Sequence, residues 1–141
     1  YQGYTEEPRE YHALCKHRAP QYRDWWPKAA QYAPQPRTIM YTDPVAPRKA
    51  VGEALVAYGS DEHVFVLDAE VKNSTYTDLF EACYPDRFVE TFIAEQAMIG
   101  IASGIAAAGK IPVAATFAAF LTRAHDQIRM AAISRLPLRI I

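Results

Sequence analysis

Ala94-Glu95-Gln96-Ala97-Met98-Ile99-Gly100-Ile101-Ala102-Ser103-Gly104-Ile105-Ala106-Ala107-Ala108, then Gly109-Lys110, then Ile111-Pro112-Val113-Ala114-Ala115: this stretch decides the fold. Its first part reads as a helix over 94–108, with the acidic Glu95 in the first turn and Gly109 past the end. Gly100 and Gly104 lie one turn apart and bare one side, so another helix can approach closely; in water that implies packing, not membrane insertion. Its last part, 111–115, is a short apolar run of the kind that forms a strand buried on both faces. A helix feeding directly into a buried strand is the repeating unit of an α/β protein.

The pattern continues in both directions. Upstream, His63-Val64-Phe65-Val66-Leu67 is a second buried strand, followed by a polar loop over 68–74. Residues 75–83 read as a helix closed by Tyr84-Pro85, and 88–92 as a short strand. Further upstream, apolar residues at 51, 54, 55 and 58 give 48–58 helical spacing, and Gly59 stops it. Downstream, 117–134 reads as one long helix and 138–141 as the opening of a fourth strand. The expectation is an α/β fold with a mostly parallel sheet and helices on both faces. In such sheets ligands bind outside the carboxyl ends of the strands. That points to Asp68–Ser74, to Ile93-Ala94-Glu95 and to Thr116-Phe117 as the places to weigh.

Composition narrows the function. The chain has 141 residues, 15.8 kDa, enough for one domain. Lys and Arg number 15 against 16 Asp and Glu, which gives no reason to expect a nucleic-acid binder or a polybasic membrane anchor. Cys15 and Cys83 are far apart, with no metal-binding spacing, so neither a disulfide framework nor a zinc site is expected, and a reducing, cytoplasmic setting is the easier home. No segment reaches the roughly 18 apolar residues of a membrane span, and no signal peptide appears. Residues 1–47 differ from the rest: Pro8, Pro20, Pro27, Pro34, Pro36, Pro44 and Pro47 leave little room for regular structure beyond a short helix around 10–18. With Trp25, Trp26 and its tyrosines, this part reads as a linker or N-terminal extension packed over another domain's surface. The start at Tyr1 and the apolar finish at Ile140-Ile141 carry the expectation of a fragment of a longer chain.

Several stretches at those strand ends are similar to a known family. Lys72-Asn73-Ser74-Thr75, Phe92-Ile93-Ala94-Glu95-Gln96 and Thr116-Phe117-Ala118-Ala119-Phe120-Leu121-Thr122-Arg123 closely resemble the pyrimidine-binding domain of transketolase, as does Asp126-Gln127-Ile128-Arg129-Met130-Ala131-Ala132-Ile133-Ser134. Order and spacing match over roughly residues 45–141. The Ile-Ala-Glu-Gln stretch is shared by related thiamine-diphosphate enzymes, whereas the Lys-Asn-Ser-Thr loop and the Thr-Phe-Ala-Ala-Phe helix are what single out transketolase. The chain departs from the family at Pro47, Ala97 and Ala115, where Thr, Asn and Ser are common, and at His125, where an aromatic residue is usual.

The resemblance implies a thiamine-diphosphate-binding fold and roles for particular residues. Glu95 matches the carboxyl group that hydrogen-bonds the aminopyrimidine ring; proton exchange with the ring nitrogen favours an imino tautomer whose nitrogen then takes the thiazolium C2 proton. Read alone, Glu95 is an ordinary first-turn acid facing a helix dipole. Phe117 and Phe120, three apart, match an apolar wall around that ring, with Phe120 the closer match to the stacking residue; read alone, they are core aromatics. Arg48 and Ser74 match positions that hold the sugar-phosphate substrate, and read alone are a surface arginine and a loop serine. His63 and His125 are expected to be structural, and Arg123, Asp126 and Arg129 to be ion-pair or interface residues.

The Gly-Asp-Gly…Asn signature that holds Mg2+ or another divalent cation on the diphosphate is not in this chain, nor is a Gly-rich phosphate loop. The resemblance assigns them to a diphosphate-binding domain of a second protomer or subunit, in a parent that is a homodimer or a split enzyme of the pentose phosphate pathway. The expected function is therefore that of a piece of a transketolase, whose parent moves a two-carbon ketol unit from a ketose phosphate to an aldose phosphate. Two alternatives stand beside it: a natural truncated, non-catalytic relative that binds a partner subunit, and deoxyxylulose-phosphate synthase, against which the 72–75 loop and the 116–123 helix argue. The isolated chain is expected to show no turnover and poor stability.

Overall fold

Four short apolar runs become the strands of one sheet: β1 (Val64–Asp68), β2 (Phe88–Glu90), β3 (Ile111–Ala115) and β4 (Arg139–Ile140). They lie in the order β2-β1-β3-β4, and every pairing is parallel. The computed structural model describes residues 39–141; the expected helix over 10–18, Cys15 and most of the proline-rich segment lie outside them. β1 and β3 form the centre, in register from Val64 opposite Ile111 to Asp68 opposite Ala115. The helices are α1 (Pro47–Tyr58), α2 (Lys72–Thr75), α3 (Asp78–Cys83), α4 (Glu95–Ala107), α5 (Ala118–Leu121) and α6 (His125–Ile133), with 3-10 turns at Pro85–Arg87 and Thr122–Ala124.

Strand alternation sends side chains to opposite faces, and each face has its own core. Val64, Val66, Ile111 and Val113 pack with Leu55 of α1 and Phe80 of α3. Leu67 and Ala114 pack with Met98, Ile99 and Ala102 of α4 and with Ala124. The expected α/β architecture, parallel and covered on both faces, is what the chain adopts.

Three expected boundaries change, each for a local reason. Residues 68–74 are not all loop: the buried Asp68 accepts a hydrogen bond from the Val71 N–H at 2.7 Å, and α2 begins at Lys72. The helix read over 75–83 is broken, because Tyr76 adopts the left-handed conformation (φ 61°) and α3 starts afresh at Asp78. The hydroxyls of Thr75 and Thr77 both donate to Asp68 Oδ2, at 2.7 and 2.8 Å, which bends the chain around that carboxylate. The long helix over 117–134 is interrupted by the 3-10 turn at Thr122–Ala124. There the Thr122 hydroxyl donates to the Ala119 carbonyl at 2.7 Å, and the Arg123 carbonyl accepts from the Gln96 side-chain amide at 3.0 Å. A carbonyl bonded across to another helix is pulled out of the regular ladder.

Among the described residues, no helix is long and apolar enough to cross a membrane, and no three His, Cys, Asp or Glu side chains cluster as metal ligands. Gly100 and Gly104 lie on the exposed side of α4, with no described atom beyond the helix within 4 Å of where a β-carbon would stand. The helix expected to approach them is therefore not among the described residues.

Candidate functional site

The strand order sets where a site can form. From β1 the chain crosses to β2 on one side, then returns to β3 on the other, so the connections diverge between β1 and β3. A crevice opens outside the carboxyl ends at such a point. Helices that cover a parallel sheet run antiparallel to its strands, which brings the N-termini of α1, α2 and α4 to the same edge.

Asp68 anchors this edge. Its main-chain carbonyl accepts from the N–H and the hydroxyl of Thr91, both at 2.9 Å, tying the end of β1 to the turn after β2. That turn contains Phe92 at φ 55°, a conformation costly for a residue with a side chain. Glu90 Oε1 steadies it, accepting from the N–H groups of Phe92 and Glu70 at 3.0 Å each. Sequence reasoning did not single out Asp68 or Glu90. An acid closing an apolar run, with threonines seven and nine residues on, was the available signal for Asp68.

Glu95 follows as the first residue of α4, its side chain 3% exposed. Arg123 Nη1 lies 2.6 Å from Glu95 Oε1, an ion pair and hydrogen bond in one. The same guanidinium lies over the Phe120 ring, 5.3 Å from its centroid. Phe117 stacks on Phe120 with centroids 5.5 Å apart and planes inclined by 28°. Glu95, Phe117, Phe120 and Arg123 thus form one cluster. Arg123 was expected to be an ion-pair or interface residue; that it pairs with Glu95 is supplied by the fold.

Beside the cluster, at the end of β3, the buried Thr116 hydroxyl has no hydrogen-bond partner among the described residues. Together these groups suit a flat, nitrogen-bearing ring: a buried carboxylate for its polar edge, a phenylalanine face for its plane and an unused hydroxyl nearby.

Arg48 and Ser74 lie on neighbouring helices, with no described contact between their side chains. Arg48 sits in the first turn of α1, exposed, with its guanidinium 5.9 Å above the Tyr76 ring. Ser74 lies in α2, its hydroxyl 3.4 Å from Asn73 Oδ1. α1 meets α2 closely, since a β-carbon on Gly52 would stand 2.5 Å from the Tyr76 β-carbon. No described hydrogen bond or ring contact links this pair to the Glu95 cluster. Nearby, Lys72 pairs with Glu81 at 2.8 Å and Glu90 at 3.6 Å, and the hydrogen bond to Glu81 is the main cause that holds its ammonium group above the ordinary lysine range.

Two histidines lie among the described residues. His63 Nδ1 lies 3.0 Å from Asp61 Oδ1 before β1, and His125 is an exposed residue opening α6. Arg129 pairs with Asp126 at 2.7 Å on the α6 surface.

Residues 43–141 match a protein family described as transketolase, pyrimidine binding domain. Transketolase of Mus musculus is 50% identical over 103 residues, 72% of this chain and 16% of the mouse protein. Transketolase of Homo sapiens is 51% identical over 94 residues, 65% of this chain and 15% of the human protein. Transketolase-like protein 1 of Bos taurus is 49% identical over 102 residues, 71% of this chain and 17% of the bovine protein. A solved structure described as split gene transketolase, inactive beta4 tetramer, superposes with a TM-score of 0.62 at 41% identity, covering 69% of this chain and 33% of that one. The chain spans about one-sixth of the length of these curated relatives.

Proposed function

The chain belongs to the transketolase pyrimidine-binding domain family, and from that premise we propose that it supplies the aminopyrimidine-binding half of a thiamine-diphosphate site in an enzyme that transfers a two-carbon ketol unit between sugar phosphates. The observation that carries this reading is the placing of Glu95, buried, beside the stacked pair Phe117–Phe120 at the carboxyl edge of the sheet. When bound, thiamine diphosphate supplies the nucleophilic carbon that carries the two-carbon unit.

This chain's residues do the rest of the pyrimidine side. Glu95 bonds the polar edge of the ring and exchanges a proton with it through a carboxylate oxygen. Phe120, backed by Phe117, gives the ring a flat apolar seat that excludes water. Arg48, in the first turn of α1, and Ser74, in α2, are assigned to the phosphate-bearing sugar, for which a guanidinium and a hydroxyl are suited. The diphosphate and its divalent cation are assigned to another domain, on a second protomer or subunit.

The test is a graft. Residues 43–141 replace the matching segment of the mouse relative, and ketol transfer is measured with and without Glu95→Gln. The graft is expected to turn over. The substitution is expected to lower kcat by about 10²–10⁴-fold, the scale of lost general acid–base catalysis, while the protein stays folded. Unchanged kcat in the Glu95→Gln graft overturns the assignment of Glu95.

A further inference from the structure

Arg123 and a bound aminopyrimidine ring need the same two groups. Residues 117, 120 and 123 follow one another at three-residue spacing, Phe117 capping the start of α5, Phe120 within it and Arg123 in the 3-10 turn. Phe120 is the middle one of the three. Phe117 stacks against it, and the Arg123 guanidinium lies over its ring. The same guanidinium donates to Glu95 Oε1 at 2.6 Å. A ring seated on Phe120 with its edge on Glu95 meets Arg123 at both contacts.

Chemistry explains why an arginine can hold this place. A guanidinium is planar, carries N–H donors along its edges and stacks on aromatic faces. Those are the features by which a carboxylate next to a phenylalanine recognises a protonated aminopyrimidine. Arg123 is also free to leave. Its side chain is 53% exposed, against 3% for Glu95, so the head group can turn outward into water while the carboxylate stays where it is.

We propose that Arg123 is a displaceable stand-in for the aminopyrimidine ring. It holds Glu95 and Phe120 in their binding positions and must give up both when the ring enters, so it sets the affinity of the half-site and screens out flat ligands that cannot replace a cation on Glu95. This rests on the pyrimidine-binding reading of the site. Arg123 is on this view a positioning residue and not a catalytic one.

The full 141-residue chain is titrated with free 4-aminopyrimidine and followed by NMR, as wild type, Arg123→Met and Arg123→Lys. Arg123→Met keeps an unbranched apolar stem and removes both contacts, and the same spectra report that the variant is folded. It is expected to bind the base about tenfold more tightly, the lower end of what one hydrogen bond to a charged group contributes. Arg123→Lys, which keeps the charge but not the plane, is expected to fall between. In Arg123→Ala, free guanidinium ion at non-denaturing concentration is expected to bind the vacated seat and compete with the base, and Glu95→Gln to abolish that competition. Equal or weaker binding by Arg123→Met overturns the proposal while leaving the pyrimidine reading intact, and so does guanidinium that fails to compete. If no form binds the base while guanidinium still binds Arg123→Ala, the pyrimidine reading falls and takes this inference with it.

Discussion

Asp68 shows how much one side chain can carry. Its carboxylate is fully buried and accepts from the Val71 N–H and from the hydroxyls of Thr75 and Thr77. Asp68→Ala strands these donors in a site closed to water, and a loss of about 3 kcal/mol of stability is expected, read as a lowered urea midpoint. A midpoint within experimental error of wild type would refute that account. Little of this was legible beforehand, since an acid after an apolar run reads as any polar loop residue. Glu95 was singled out only through the motif around it; by itself a first-turn glutamate is commonplace. Its partner Arg123 stands 28 residues further on, and only the fold brings the two together.

The elements were legible where the apolar pattern was strong and uninterrupted. α1, α4 and the central strands fall within a residue or so of where their spacing puts them. The misread segments, 75–83 and 117–134, contain no proline or glycine to mark a break. Both are broken by polar groups reaching in from elsewhere: Asp68 in the first case, Gln96 in the second. The α1–α2 contact gives a direct test. A β-carbon on Gly52 would stand 2.5 Å from both the β-carbon and the carbonyl oxygen of Tyr76, so Gly52→Ala must push the helices apart. A loss of about 1–3 kcal/mol is expected by chemical denaturation, despite alanine's better helix propensity. A stabilised variant would mean that α2 yields freely. At the same end of the sheet, the Lys72–Glu81 hydrogen bond raises the folded-state pKa of Lys72 above its ordinary 10.5. A raised lysine pKa stabilises fully below the unfolded value, and that contribution is lost as pH climbs through the folded one. The melting temperatures of wild type and Lys72→Met are therefore expected to differ by a constant amount at neutral pH and to converge above about pH 10.5; a gap that widens there would contradict the sign.

Across the whole molecule the two faces of the sheet are built differently. The face toward α1 and α3 is filled with branched and aromatic side chains, including Leu55, Val66, Phe80 and Val113. The face toward α4 uses alanines at Ala102, Ala114 and Ala124, which let helix and sheet approach closely. Enlarging that thin layer by Ala102→Leu is expected to cost about 1–3 kcal/mol and to shift Glu95 with its helix, visible as weaker binding of the aminopyrimidine base as well as a lower melting temperature. Loss of stability with binding unchanged would show the two to be independent. The contact between Glu95 and Arg123 closes within a single stretch of chain, from the turn after β2 through α4 and β3 to the 3-10 turn. That stretch does not stand alone, however: β3 pairs with β1, and Met98 and Ile99 of α4 pack on Leu67, so the central strand has to be in place before Glu95 and Arg123 can meet.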